Sequence, residues 1–180
     1  MVDQEREFLK SEGDEFFKRN IHKISHNSPE ISILCNWLMP FKKEVKTILE
    51  IGSGSGNKLS QMCWQLDSKG HGVEPSNLAV DFANKNYSAK CTFEVGTADS
   101  LPSKLKKFDL IHFGFCLYLV SRDRLANCLK QADILLKPGR FLSIIDFDPL
   151  EPHANKYEHY NGLKSHKDNY YKMFLLFHKH

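Results

Sequence analysis

The stretch Thr47–Ser60, TILEIGSGSGNKLS, decides the fold. A compact apolar run ends in three alternate glycines, Gly52, Gly54 and Gly56, and a helical pattern follows. Such a run, bounded by glycines, reads as a strand buried on both faces. The glycines leave a loop free of side chains, able to take positive φ and to let a ligand lie against backbone. The helix behind it offers unpaired N–H groups. A plain strand-to-helix turn is the competing reading. Spacing narrows the ligand. A dinucleotide fingerprint needs Gly or Ala at position 57, and Asn57 stands there; a G-K-[ST] phosphate loop is also missing. An NAD-dependent enzyme is therefore disfavoured. What remains is E-x-G-x-G-x-G, with Glu50 inside the strand end.

Working outward, strands and helices alternate. Leu59, Met62, Cys63 and Leu66 mark one helix face, with Gly70 as its expected end. HGVEP (71–75) reads as a second strand. Ser76 is placed to cap a helix with Leu78, Ala79, Phe82 and Ala83 inward. CTFEVG (91–96) is a third strand, and KFDLIHFGFCLYLV (107–120) contains a fourth. Ser121 is the expected cap of a helix carrying Leu125, Cys128, Leu129, Ala132, Leu135 and Leu136, with Pro138-Gly139 as its stop. RFLSIIDFD (140–148) is a fifth strand. Upstream, Ser28 and Pro29 start a helix that Pro40 stops, and GDEFFKRN (13–20) is a shorter one. Repeated strand–helix–strand units imply right-handed crossovers: an α/β, three-layer, doubly wound, mostly parallel sheet with helices on both faces. Such sheets bind ligands beyond the carboxyl ends of their strands, where strand order reverses. The glycine loop lies at that place.

The chain has 180 residues, 41% apolar and 26% charged, with a formal net charge of +3. These numbers fit one globular domain and give no electrostatic case for nucleic acid. Three parts are expected within it: an N-terminal helical cap (1–40), a Rossmann-like core (41–148) and a substrate-side loop with a last element (149–180). The opening segment is acidic rather than signal-like, and the longest apolar run is too short for a bilayer, so a cytoplasmic protein off the membrane is expected. Its five cysteines read as reduced, partly buried thiols.

The segment ILEIGSGSG resembles motif I of the class I S-adenosylmethionine-dependent methyltransferases, the seven-stranded Rossmann-like family. GVEPS, GTADSLP, FDLIHFGFCLYLV and LLKPGRFLSIIDF resemble the family's later motifs in order and distance, over roughly residues 45–147. The resemblance implies a Rossmann-like methyltransferase fold and a site for S-adenosylmethionine, with S-adenosylhomocysteine as product. It implies that Glu74, beside Pro75, takes the ribose hydroxyls, a bidentate contact suited to a carboxylate. Asp99 takes the adenine amino group, with Ala98 and Ser100 beside it. Gly52, Ser53, Gly54 and Gly56 form the loop, Phe113 lies nearby, and Glu50 stands one step back. Arg19 is a candidate for the methionine carboxylate. The bland alternatives are a solvated strand end for Glu74, an Asx-turn for Asp99 and an exposed basic helix end for Arg19.

A sulfonium-activated methyl needs alignment and dryness more than a catalyst, and a base only if the acceptor carries a proton. His112, near the end of the fourth strand, is the candidate base; a packed strand histidine is the alternative. Its motif, His112-Phe113-Gly114-Phe115, lacks the N/D-P-P-Y/F pattern of amino-methylating enzymes. His153, His159 and His166 have no metal-ligand spacing, so no metal is assigned. The tail from residue 149 reads as a polar substrate lid, with YKMFLLF (171–177) as a strand or docking helix. At most one strand is legible there, so the family's closing antiparallel pair is expected to be reduced or missing. A looser resemblance to methylases of bacterial surface-polysaccharide and pseudaminic-type sugar pathways implies a small-molecule acceptor such as a sugar or nucleotide-sugar. The competing reading is a non-catalytic cofactor-binding or scaffold protein with a truncated C-terminus; no oligomeric state is assigned.

Overall fold

The computed structural model describes residues 2–25 and 27–177. Five parallel strands form the central sheet: β1 Thr47–Ile51, β2 Lys69–Glu74, β3 Cys91–Val95, β4 Phe108–Gly114 and β5 Leu136–Ile145. Their order is β3-β2-β1-β4-β5. The reversal falls between β1 and β4, next to the glycine loop. The expected doubly wound sheet is the observed one.

Side chains alternate across this sheet with period two. Ile48 and Leu110 face one side, against Ile31, Cys35 and Leu38 of α3 (Pro29–Leu38), Leu59 and Met62 of α4 (Asn57–Leu66), and Ala83 of α5 (Asn77–Tyr87). Leu49, Ile51, Ile111 and Phe113 face the other, against Cys128, Leu129 and Ala132 of α6 (Leu125–Leu135). Tyr170 and Phe174 of the last helix, Tyr170–Phe177, complete that second core.

Several local expectations are corrected. Helix α4 ends at Leu66, closed by Asp67 in the left-handed region with φ 54°. Gly70 lies inside β2, where a Cβ would come within 2.7 Å of Cys63 Sγ and 2.8 Å of Leu59 Cγ; it is there for close helix–strand packing. Ser121 does not cap α6. The helix starts four residues later, and the Ser121 hydroxyl donates instead to Glu5 at 2.8 Å. Pro138-Gly139 does not stop a helix either, because α6 has already ended at Leu135 and β5 runs through both residues with a register shift opposite Phe108–Leu110. Leu78 is exposed, and Val80 takes the inward place.

The tail is more structured than a lid loop with one strand. Two short strands, β6 (His153–Lys156) and β7 (Lys164–Lys167), pair antiparallel as a separate hairpin, and YKMFLLF lies in the last helix. The hairpin docks on the N-terminal segment rather than on the main sheet. That segment runs through Gln4–Glu7, a π-helical turn at Phe8–Glu12 and α2, Gly13–Asn20. Gln4 bonds Lys164 backbone on both sides, at 2.9 and 3.0 Å, and Tyr160 donates to Glu7 at 2.6 Å.

Candidate functional site

Register builds the floor of the site. Glu50 on β1 lies opposite Gly72 on β2 and His112 on β4, and His112 lies opposite Ser143 on β5. The period-two alternation turns Glu50 and His112 to the same face. Both are buried, with His112 Nε2 4.0 Å from Glu50 Oε1 and His112 Nδ1 3.1 Å from Ser143 Oγ. Burial pushes Glu50 up to about 8 and His112 down to about 3, so both favour their neutral forms.

Above this row lies a cavity of about 600 Å³, walled by the carboxyl ends of β1, β2 and β4 and covered by the N-terminal segment. Glu50, Gly52, Ser53, Gly54, Glu74, Pro75 and Ala98 line it. Phe8, Phe16, Phe17 and Asn20 form the cover. The volume lies within the range of small-molecule and cofactor sites.

The glycine loop is shaped by two backbone demands. Gly56, φ 79°, is the N-cap of α4, and a Cβ there would meet the Phe93 ring at 2.6 Å and Ala83 at 2.8 Å. Gly54, φ 51°, has open space where its Cβ would be, towards the cavity. Glu74 straps the loop: Gly54 N–H donates to one carboxylate oxygen at 2.9 Å and Ser76 N–H to the other at 3.1 Å. Burial nevertheless raises Glu74 to about 7, against those two bonds.

Other expected residues fall outside the lining. His112 lies beneath the floor. Phe113 is packed in the core, its ring 5.9 Å from Phe174. Asp99 is buried; Arg124 donates to one oxygen at 2.8 Å, and the other is a buried acceptor without a partner among the described residues. Ser100 is exposed next to it. Arg19 points at Glu12 and at Tyr157, whose hydroxyl is 3.2 Å away. Glu50 Oε2 and Ser53 Oγ, both buried, also have no partner among the described residues.

Some contributors carried no readable motif. Asp14 accepts from Ser76 Oγ at 2.6 Å and from Leu78 N–H at 3.0 Å, fixing the cover on the start of α5. Lys58 and Phe115 line the cavity at its β4 end. No spacing rule links these residues to the glycine loop, since tertiary folding alone brings them together.

A family model described as a methyltransferase domain matches residues 48–139. The chain belongs to that family. It is 30% identical over 124 residues to a methyltransferase of Bacillus subtilis, covering 65% of this chain and 47% of that protein. It is 29% identical over 151 residues to a tRNA N(3)-methylcytidine methyltransferase of Schizosaccharomyces pombe, covering 77% and 49%. The chain thus spans about half the length of the curated relatives it matches. A plantazolicin methyltransferase solved with a monoazolic desmethylPZN analogue and S-adenosylhomocysteine matches the fold with TM-score 0.63 at 23% identity, over 80% of this chain and 57% of that one. Among the described residues, no helix is long and apolar enough to cross a membrane.

Proposed function

We propose that the chain binds S-adenosylmethionine in this cavity and transfers its methyl group to a small molecule. The observation that carries the reading is the convergence of Glu50, Ser53, Gly54 and Glu74 on one cavity at the switch point of the sheet. The cofactor fits the residues present. Glu50 Oε2 and Ser53 Oγ are buried polar atoms without partners among the described residues, suited to an ammonium, and Gly54 leaves space for a ligand against backbone. The family of the chain and the cofactor of the solved neighbour point the same way.

In this reading Glu74 takes the ribose hydroxyls while its Gly54 bond holds the loop. Pro75 and Ala98 give the adenine an apolar border. When bound, the cofactor supplies a methyl already activated by its sulfonium. The protein's work is alignment and exclusion of water, done by the glycine loop below and Phe8, Phe16 and Phe17 above. Arg19, committed to Glu12 and Tyr157, holds the cover in place. His112 acts on Glu50 as a positioning residue, since none of its atoms reaches the cavity.

Calorimetry with the full chain tests this. S-adenosylhomocysteine is expected to bind in the micromolar range, about −8 kcal/mol, and Gly54→Arg, filling the open space, abolishes binding. No binding of either form of the cofactor by the native chain would sink the reading.

A further inference from the structure

A net charge of +3 conceals an uneven distribution. Glu50 and Glu74 stand at the carboxyl ends of β1 and β2, at the cavity. The opposite, amino ends of all five strands carry a lysine each: Lys46, Lys69, Lys90, Lys107 and Lys137. Register sets them side by side. Thr47 pairs with Lys69 and Phe108 with Leu136. Lys69 N–H donates to Lys46 O at 3.0 Å, and Gly70 N–H to Lys90 O at 2.9 Å. With neighbouring strands about 4.8 Å apart, the row is about 19 Å long.

The acids close to this row are already held. Asp67 is bound by Lys90 at 2.7 Å, Asp109 by Lys137 at 2.9 Å, and Glu44 by Arg140. The Lys90 ammonium keeps Asp67 below the usual carboxylate range, and Lys46 and Lys42 act on it in the same direction. Lys46, Lys69 and Lys107 are exposed and make no carboxylate contact within 4.0 Å among the described residues. Their charge is uncompensated.

Exposed rings flank the row. Trp64 lies in the last turn of α4 and Trp37 in the last turn of α3, and both helices end at this side of the sheet. Each indole is 63% exposed, against the ordinary preference of tryptophan for burial. Lys90 Nζ lies 4.9 Å from the Trp64 ring. Trp37 stands edge-on to Phe141 of β5, centroids 6.0 Å apart at 89°.

We propose that this end of the molecule is a docking surface for a single strand of nucleic acid. Its phosphates follow the lysine row, and its bases stack on Trp37 and Trp64. At about 3.4 Å per stacked nucleotide, the row spans five or six phosphates. The charges run along the sheet edge in a line, the shape of a strand rather than of a bilayer. The cavity lies at the other end of the strands, so docking places the protein on the polymer and leaves the cavity open. The inference stands independently of the methyl-transfer reading.

The chain has only these two tryptophans, so its intrinsic fluorescence reports on this face alone. The test is anisotropy of labelled twelve-residue oligouridylate and oligothymidylate with the full chain, alongside tryptophan quenching. Binding is expected at about 50 mM salt, with a log–log salt slope of about −2 or steeper. The indoles should be quenched, and an abasic strand of the same length should bind at least about tenfold more weakly. Lys46→Glu with Lys69→Glu should lose about tenfold or more, while Lys156→Glu, on the distant β6, should lose nothing. Should that pair fold poorly by thermal unfolding, Lys46→Gln with Lys69→Gln and, separately, Trp64→Leu replace it, each expected to cost at least about fivefold. Absence of oligonucleotide binding, equal binding of the abasic strand, or an equal loss in Lys156→Glu overturns the proposal. So does binding of phosphatidylserine vesicles in place of the oligonucleotides, which would make this face a membrane contact.

Discussion

Glu74 already has both carboxylate oxygens engaged by backbone N–H groups, from Gly54 and Ser76, in the ligand-free chain. Glu74→Gln turns one acceptor into a donor facing a donor. It should cost about 1–3 kcal/mol of stability in denaturant unfolding and weaken S-adenosylhomocysteine binding by about tenfold or more. The buried carboxyls also set a pH dependence. Glu50 and Glu74, pushed up to about 8 and about 7, keep protons in the fold that the unfolded chain releases in the ordinary carboxylate range. Their contribution is therefore complete in acid and is lost as pH rises through 7 and 8. His112, held neutral, contributes in the opposite sense: fully above the ordinary histidine range, less as pH falls towards 3. Unfolding midpoints of the ligand-free chain should accordingly drop from pH 6.5 to 8.5, and Glu50→Gln should flatten the slope. A wild-type profile that is level across that window would mean the two carboxyls titrate normally. Glu50 and the glycines were legible at this scale, because one motif fixes their spacing, and Glu74 was legible as the acid that ends the second strand. Asp99 was legible as an acid at the end of β3, but its ion pair with Arg124 was not.

Elements meet here in ways that local patterns only half specify. Ser76 was readable as the cap of α5, and it is: its hydroxyl accepts from Ala79 N–H at 3.0 Å. That Asp14 of α2 then grips the same hydroxyl was not readable, because 62 residues separate them. Ser121 illustrates the converse. Its local signal was as good as that of Ser76, yet its hydroxyl turns to Glu5, and the backbone carbonyl alone receives the first turn of α6. The hairpin β6–β7 was missed because its strands are four residues each and polar, with no alternating apolar face to betray them. What holds it is the N-terminal segment, through Tyr157 on Glu12 at 2.8 Å and Tyr160 on Glu7. Tyr157→Phe and Glu12→Gln should therefore be coupled by about 0.5–3 kcal/mol in a double-mutant cycle. Both should raise amide exchange in residues 4–20 and 153–167 together; changes confined to one segment would show that cover and hairpin move independently.

At the scale of the whole molecule, two cores on either side of a parallel sheet carry the stability. Ile111 sits fully buried on central strand β4. Ile111→Ala should cost about 2–5 kcal/mol, read from denaturant midpoints. Ligand binding should add to the native state by mass action, so S-adenosylhomocysteine at about a hundred times its Kd should contribute about 2.7 kcal/mol and raise Tm accordingly. The parallel sheet, the layers and the position of the glycine loop followed from the sequence alone, because buried parallel strands are unbroken apolar runs and crossovers have one hand. The amphipathic helices and the acids at strand ends followed for the same reason: each is specified within a few residues of itself. Tertiary structure alone decided what closes the cavity and what faces it. The burial that shifts Glu50 and His112 and the cover tied to the hairpin both join residues far apart in the chain. Such meetings depend on how whole elements pack, and no local spacing encodes them.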